Sequence, residues 1–244
     1  MAIIVITGAG AGLGRALARR FAGEGETVML LGRTVAKLET LAREIGARAT
    51  GIECDVGSPA SVKAAFAAIA AMHPRIDVLI NNAAVFEPFL ITNATDEQIM
   101  RTIGTNVAGP ILCTRAALPL MGVGGQIINL SSESVDMHFP HLTLYQTTKA
   151  AVERFSKSMH HELEFSGIRV TTVRAGQMME EGKAWDVDPA AAMEFAKAAM
   201  AAGLNLTQRP ISQYANVTDV FRALIDLPPD VHVSSIALHA RKPA

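Results

Sequence analysis

IIVITGAGAGLG, residues 3–14, is the stretch that decides the fold of this chain. It opens with Ile3–Thr7, a short apolar run rich in β-branched residues, which predicts a strand buried on both faces. Glycines then alternate from Gly8 to Gly14, and helical periodicity follows over Leu13–Ala22. Glycine lets the backbone turn sharply and lets an anion approach without a Cβ clash. A strand, a glycine turn and a helix in this order are typical of a phosphate-binding turn.

The glycine turn has the pattern T-G-x-x-x-G-x-G. It is not a complete G-x-G-x-x-G, because Leu13 and Arg15 occupy the closing positions. We predict that a pyrophosphate binds along the turn; a purely structural turn is the alternative. The candidate contacts are Gly8, Gly10, Ala11, Gly12, Leu13 and Gly14.

Short β-branched runs alternate with longer amphipathic stretches along the rest of the chain. The predicted strands are Ile3–Thr7, Thr27–Leu31, Ala49–Glu53, Val78–Asn81, Gln126–Leu130, Arg169–Val173 and Val231–Leu238. The predicted helices are Leu13–Ala22, Thr34–Ile45, Ser58–Met72, Asp96–Met121, Leu144–Phe165 and Asn216–Leu227. This alternation predicts one α/β domain over residues 1–244, a doubly wound Rossmann-type fold with a seven-stranded parallel sheet flanked by helices.

Residues 177–203 interrupt the alternation with a long connection that has its own helix. Asp188 is placed to cap that helix, Pro189 to open it and Gly203 to end it. An insertion at the carboxyl edge of a parallel sheet predicts a small substrate lid. An extra packing helix is the alternative.

Composition limits the class of protein. The 244 residues are 50% hydrophobic with a mean hydropathy of +0.26, and the net charge is −1. This balance argues against nucleic acid or an anionic membrane as partner. Cys54 and Cys113 have no metal or redox spacing, so we expect buried thiols in a reducing compartment and no metal site. With no signal segment or membrane span recognised, we expect a cytoplasmic protein.

Tyr145 and Lys149 are four residues apart at the start of a predicted helix and therefore share one face. At roughly 5 Å and an effective dielectric constant of ~20, the lysine charge stabilises a phenolate by about 3 kcal/mol, or roughly two pKa units. The pair is thereby predicted to act as a general acid or base near neutral pH. An ordinary exposed helix pair is the alternative.

These residues, together with Asn81-Asn82-Ala83-Ala84 and with Ser132 thirteen residues before Tyr145, resemble the classical short-chain dehydrogenases/reductases up to about Gly176. The resemblance implies that Tyr145 exchanges a proton with the substrate oxygen and that Lys149 lowers its pKa and holds the nicotinamide ribose. The resemblance also implies that the Ser132 hydroxyl donates a hydrogen bond to the substrate carbonyl. It also implies that Asn106 anchors a water on the proton path, although Asn106 could instead be a packing or kink residue.

The choice of cofactor rests on Arg33. The residue after the second strand meets the adenosine ribose, where an acid would repel a 2′-phosphate. Arg33 offers a fork of donors suited to phosphate, so we predict NADP(H), with NAD(H) possible; an Arg33 that faces solvent is the alternative. By resemblance, Asp55 binds the adenine amino group, although it could also, or instead, cap the next helix or hold the turn before Ser58-Pro59. The other implied cofactor contacts are Val56, Asn82, Ala83, Ala84, Gly176 and Met178.

The substrate is the least determined part of the prediction. Arg174-Ala175-Gly176 lacks the proline that the family usually has before this glycine. Candidate substrate contacts are Phe86, His138, Leu142, Gln177, Met179 and Trp185. The methionine-rich lid could bind apolar ligands or form plain core. We expect a small uncharged or weakly polar ketone or secondary alcohol.

Three functions follow from these patterns. The first is an NADP(H)-dependent oxidoreductase that transfers a hydride between nicotinamide and a ketone or secondary alcohol. The second is a 3-oxoacyl thioester reductase, which a basic patch near the lid would favour. The third is a non-catalytic NADPH-binding sensor, which would not need a complete set of catalytic residues. By resemblance, the chain forms a homodimer through the Asp96–Met121 and Leu144–Phe165 helices, or a homotetramer.

Overall fold

The computed structural model describes residues 1–180 and 187–242. The first half contains β1 (Ile3–Thr7), α1 (Gly12–Gly23), β2 (Thr27–Gly32), α2 (Val35–Ile45), β3 (Ala49–Glu53), α3 (Pro59–Met72), β4 (Val78–Asn81), α4 (Asp96–Ile103) and α5 (Gly109–Ala117). The second half contains β5 (Gln126–Ser132), α6 (Thr143–Leu163), β6 (Arg169–Ala175), β7 (Met178–Met179), α7 (Pro189–Ala201), β8 (Ser212–Gln213), α8 (Tyr214–Ile225) and β9 (Ser235–Leu238).

Seven of the strands form one parallel sheet in the order β3-β2-β1-β4-β5-β6-β9. The strand order reverses between β1 and β4, which is the switch point where doubly wound folds bind their ligands. The predicted Rossmann-type fold is therefore confirmed. β7 and β8 pair separately as a parallel ribbon of two residues each.

Alternate residues of the strands face two helical layers. Ile4 and Ile6 of β1 pack with Leu17, Phe21 and other residues of α1, α2 and α8. Val5 points to the opposite face, towards the layer of α3, α5 and α6. Both layers are apolar, as expected for a sheet covered on both faces.

Two predicted elements differ from the structure. The Asp96–Met121 helix is interrupted by a π turn at Gly104–Ala108, where Pro110 cannot donate the next helical hydrogen bond to Asn106. The final strand begins at Ser235 rather than Val231. The first residue of the predicted strand instead lies in a turn, in which the Val231 amide donates a hydrogen bond to the Pro228 carbonyl.

The insertion before α8 has the predicted helix. The Asp188 carboxylate accepts a hydrogen bond from the Ala191 amide, and Pro189 is the first residue of α7. Phe195 of α7 is buried and Met193 is exposed, so this helix supplies both core and surface. Within the described ranges, no helix is long and apolar enough to cross a membrane. The single domain over 1–244 and the lid role of 177–203 stay predictions.

Candidate active site

A cleft of about 1230 Å³ lies along the carboxyl ends of the central strands. Its walls come from the glycine turn, the start of α2, the segment after β4, the end of β5, the start of α6 and the segment after β6. Most of the sequence-predicted residues meet here, because the carboxyl ends of parallel strands share one edge of the sheet. Those that line the cleft are Gly8, Gly10, Ala11, Gly12, Leu13, Arg33, Asn82, Ala83, Ala84, Phe86, Ser132, Leu142, Tyr145, Lys149, Gly176, Gln177, Met178 and Met179.

The glycine turn leaves the N-terminus of α1 open to the cleft. Ala11 precedes the helix and provides no side-chain cap, so first-turn amides are available to an anion. Gly8 and Gly12 have φ values of +66° and +52°. Gly14 does not line the cleft but closes the turn from behind, since a Cβ there would lie 2.5 Å from the Gly8 carbonyl oxygen.

Two cations lie at one end of the cleft. Arg33 follows β2, and Lys37 lies one turn along α2. Lys37 was not predicted from the sequence, although its spacing of four residues after Arg33 could have indicated it. Arg15 and Arg19 also line the cleft but pair with Glu180 and Glu44. The structure therefore leaves Arg33 and Lys37 as the cations without a polar partner among the described residues at this end.

Asp55 and Val56 do not line the cleft. The exposed Asp55 carboxylate accepts a hydrogen bond from the Gly57 amide at 3.0 Å, which is the turn role considered as its alternative. Val56 is buried against Gly109, where an added Cβ would lie 2.8 Å from its Cγ2. The adenine contact of Asp55 and the cofactor contact of Val56 stay predictions.

Thr7 fixes the segment after β4. Its hydroxyl accepts hydrogen bonds from the amides of Asn82 and Ala83, each at 3.0 Å. The Asn82 side-chain amide donates to the Thr7 carbonyl at 2.9 Å. The segment thereby lies against the glycine turn, with Ala84 open to the cleft.

Ser132, Tyr145 and Lys149 converge where β5 ends and α6 begins. Ser132 and Tyr145 both line the cleft, and the Ser132 hydroxyl accepts a hydrogen bond from the Ser134 amide at 3.1 Å. Lys149 is only 4% exposed, and its Nζ donates to the Leu130 carbonyl at 2.8 Å. The same Nζ lies 5.7 Å from the centre of the Tyr145 ring. Two oxygen donors and an amine therefore share one cleft wall.

The predicted lowering of the Tyr145 pKa by Lys149 is wrong for this structure. Burial raises the pKa of Tyr145 to about 12, although the neighbouring Ser132 hydroxyl acts in the opposite direction. Burial lowers the pKa of Lys149 to about 8. The expectation counted the attraction between the two groups but not the loss of water around each, which here is the larger effect.

Asn106 is buried in the π turn and clamps the segment after β4. Its Oδ1 accepts from the Val85 amide at 2.7 Å, and its Nδ2 donates to the Val85 carbonyl at 2.9 Å. Nδ2 also donates to the Thr148 hydroxyl of α6 at 3.2 Å. The side chain thus has protein partners on both polar atoms, in agreement with the packing role considered as its alternative. Asn106 does not line the cleft.

An aromatic cluster forms the wall beside Tyr145. The Phe86 ring meets Tyr145 edge to face at 5.1 Å and Phe195 at 6.3 Å, and Phe139 lies 6.4 Å from Phe195. Phe139 and Phe195 also line the cleft. His138 is exposed and outside the cleft lining, while its neighbour Phe139 lines it. Trp185 lies outside the described residues.

A charged pair closes the far side of the aromatic wall. Arg209 and Glu133 both line the cleft and form an ion pair of 2.6 Å. Neither residue was predicted from the sequence. Glu133 directly follows Ser132, but nothing in the sequence places Arg209, 76 residues away, beside it. In the described ranges, no group of three His, Cys, Asp or Glu side chains could hold a metal.

The fold and the site define the class of doubly wound α/β oxidoreductases. Residues 2–184 match the model of the short chain dehydrogenase family, and the chain belongs to that family. It is 37% identical to serine 3-dehydrogenase of Agrobacterium fabrum over 73% of this chain and 72% of the relative. It is 35% identical to an NADP-dependent 3-hydroxy acid dehydrogenase of Salmonella typhi, over 71% of each chain.

A solved structure supports the same relation. The closed form of a serine dehydrogenase complexed with NADP⁺ superposes with a TM-score of 0.84 and 26% identity, over 97% of this chain and 94% of the other.

Proposed function

We propose that this short-chain dehydrogenase interconverts a ketone and a secondary alcohol with NADP(H), and that Tyr145 carries the proton. The observation that supports this most is the convergence of Ser132, Tyr145 and Lys149 in one cleft with the glycine turn. The balanced reaction is ketone, NADPH and H⁺ to secondary alcohol and NADP⁺.

The described residues fit the cofactor. The uncapped start of α1 suits a pyrophosphate, and the unpaired cations Arg33 and Lys37 suit a 2′-phosphate. The relative from Salmonella typhi and the serine dehydrogenase structure are both named with NADP, which agrees with this choice. When bound, NADPH supplies the hydride that reaches the carbonyl carbon.

The protein supplies the proton and the positioning. With a pKa of about 12, Tyr145 stays protonated at neutral pH and can donate to the oxygen that gains charge during ketone reduction. The Ser132 hydroxyl is placed to donate a second hydrogen bond to that oxygen. Lys149, with a pKa of about 8, is mostly charged at pH 7, and its charge favours the phenolate that remains after transfer.

The wall of the cleft favours an uncharged substrate. Phe86, Phe139, Leu142 and Phe195 surround the side of the cleft next to Tyr145. Serine and 3-hydroxy acids, the substrates in the relatives' names, each carry a carboxylate. We infer that this chain uses the same chemistry on an uncharged ketone or alcohol.

Tyr145→Phe tests the proposal. The variant removes the proton donor and keeps the ring, so NADPH oxidation with a panel of ketones should fall by at least about 100-fold, the scale of general acid catalysis. NADPH binding, followed by fluorescence titration, should stay within about threefold. Leu144→Ala, a change outside the cleft lining, is the control. Retained turnover in Tyr145→Phe would refute the proposal.

The two alternatives have less support. The lid cation Lys197 pairs with Glu194, and nearby Arg209 pairs with Glu133, so neither of these two cations near the lid is free to bind a thioester carrier. Lys183 lies outside the described residues. A sensor would not require a buried Lys149 beside Tyr145 and Ser132.

We also propose a homodimer through α4, α5 and α6. Met100, Ile103 and Ile111 are exposed on α4 and α5 and could be covered by a second copy. A tetramer stays a prediction, as does the cytoplasmic location.

A further inference from the structure

Glu133 occupies an unusual place for a charged residue. It directly follows Ser132, lines the cleft, and has a side chain that is only 10% exposed. A carboxylate in so little water requires a partner. Arg209 Nη2 donates to Glu133 Oε1 at 2.6 Å, and His239 Nδ1 lies 3.5 Å from Oε2.

Arg209 is joined to the reacting end of the cleft by aromatic rings. Its guanidinium carbon lies 5.2 Å from the centre of the Phe139 ring. Phe139 contacts Phe195, Phe195 contacts Phe86, and Phe86 contacts Tyr145. A substrate whose oxygen meets the Tyr145 phenol would therefore extend its substituents along these rings towards Arg209.

The charge of Arg209 is already compensated. A substrate carboxylate that bound Arg209 would have to share the guanidinium with Glu133, and two carboxylates would then face each other in a poorly hydrated site. An uncharged substrate substituent is not repelled by Glu133 and can pack against the phenylalanine rings. Without Glu133, the same guanidinium would be free to form a bidentate pair with a carboxylate.

We propose that Glu133 is a specificity-determining residue that occupies Arg209 and thereby excludes carboxylate substrates. The proposal rests on the proposed function and names the substrate class of the same site, namely uncharged ketones and secondary alcohols. Excluding a ligand by repulsion is a recognised route to specificity.

Matched pairs of substrates test this assignment. Acetoacetate and levulinate are each compared with their methyl esters, which keep the ketone and remove the negative charge. The wild-type protein should show a kcat/KM for the esters at least about tenfold above that for the acids. Glu133→Gln keeps the shape and removes the charge, and it should raise the acid-to-ester ratio by about tenfold, the value of one charge-assisted hydrogen bond.

Arg209 supplies the matched control. Arg209→Met in the Glu133→Gln background should abolish the gain for the acids, because the cation that accepts the carboxylate is gone. Thermal unfolding of each variant shows that the chain is folded. Wild-type protein that uses the acids or serine as well as the esters would overturn the proposal. An acid-to-ester ratio that Glu133→Gln leaves unchanged would also overturn it.

Binding measurements distinguish a failure of the proposed oxidoreductase function from a failure of the proposed role of Glu133. Calorimetry on the NADP⁺-loaded protein gives dissociation constants for each acid and ester without turnover. If no ketone is reduced but the esters still bind more tightly than the acids, the proposed function fails and the role of Glu133 stands. If ketones are reduced but acids and esters bind equally, the role of Glu133 fails alone.

Discussion

Arg33 and Lys37 carry unpaired positive charge at one end of the cleft, within the part of the chain that the structure describes. Each is a long side chain on the surface, where a cation without a carboxylate partner is free to bind a phosphate. Arg15 and Arg19 lie on α1 and form ion pairs with Glu180 and Glu44, respectively. Selection between the two dinucleotides is therefore expected to depend on Arg33 and Lys37.

Arg33→Ala should weaken NADPH binding by about 10- to 100-fold, because a hydrogen bond to a charged group contributes about 1.5–3 kcal/mol. NADH lacks the 2′-phosphate, so its Kd should change by less than about threefold. Fluorescence titration with both dinucleotides measures the difference. Lys37→Ala should show a smaller change in the same direction, and Arg43→Ala, on the same helix outside the cleft lining, should show none. Equal losses for NADPH and NADH would refute the assignment.

At the scale of single residues, the sequence predicted many of the side chains that line the cleft, but it did not predict their burial or their hydrogen-bond partners. The spacing of Tyr145 and Lys149 correctly placed both on one cleft wall. The same spacing could not show that the lysine Nζ bonds the Leu130 carbonyl, nor that burial raises the tyrosine pKa. A pKa depends on desolvation, which only the folded chain determines.

The π turn at Gly104–Ala108 is the element on which the middle of the cleft depends. It turns Asn106 inward, where its side chain holds both backbone groups of Val85 and reaches Thr148 on α6. Ala84 and Phe86, the neighbours of Val85, line the cleft. The buried side-chain amide of Asn106 thus connects the π turn, the segment after β4 and α6.

Asn106→Ala should lower the free energy of unfolding by about 2–4 kcal/mol, because two backbone groups lose their partners in a poorly hydrated site. In a chain of this size the corresponding fall in Tm is roughly 4–16 °C. Thermal unfolding followed by circular dichroism measures this change. Thr148→Val removes the bond from Asn106 Nδ2 and the bond from the Thr148 hydroxyl to the Tyr145 carbonyl, but it leaves both Val85 backbone groups paired and should therefore lower Tm less. An unchanged Tm with lost activity would show that Asn106 acts in the reaction rather than as a clamp.

At the scale of the whole molecule, two histidines join the helical layer to the edge of the sheet. His160 of α6 stacks on His232 at 4.0 Å between ring centres, and His232 Nε2 bonds the Val170 carbonyl of β6. The centres of the His161 and His160 rings lie 5.5 Å apart. Burial lowers the pKa of His160, with further lowering by His232 and His161, while Glu164 acts in the opposite direction.

This stack predicts a loss of stability in mild acid. The unfolded chain binds a proton at His160 near the ordinary pKa of 6.5, whereas the folded chain binds it only at lower pH. Tm should therefore be insensitive to this group above pH 6.5 and should fall as the pH drops below that value. His160→Gln should reduce the fall in Tm below pH 6.5. His73→Gln, at the partly buried end of α3, is the control. An unaltered slope in His160→Gln would contradict the prediction.

The sequence alone determined the doubly wound sheet, the glycine turn and the identity of the Tyr145–Lys149 pair. These depend on local periodicity and short spacings, which are already present in an unfolded chain. It did not determine the break in the Asp96–Met121 helix, the exposed position of His138, or the meeting of Glu133 with Arg209. Tertiary structure decided those, because burial and long-range contacts arise only when distant segments pack together.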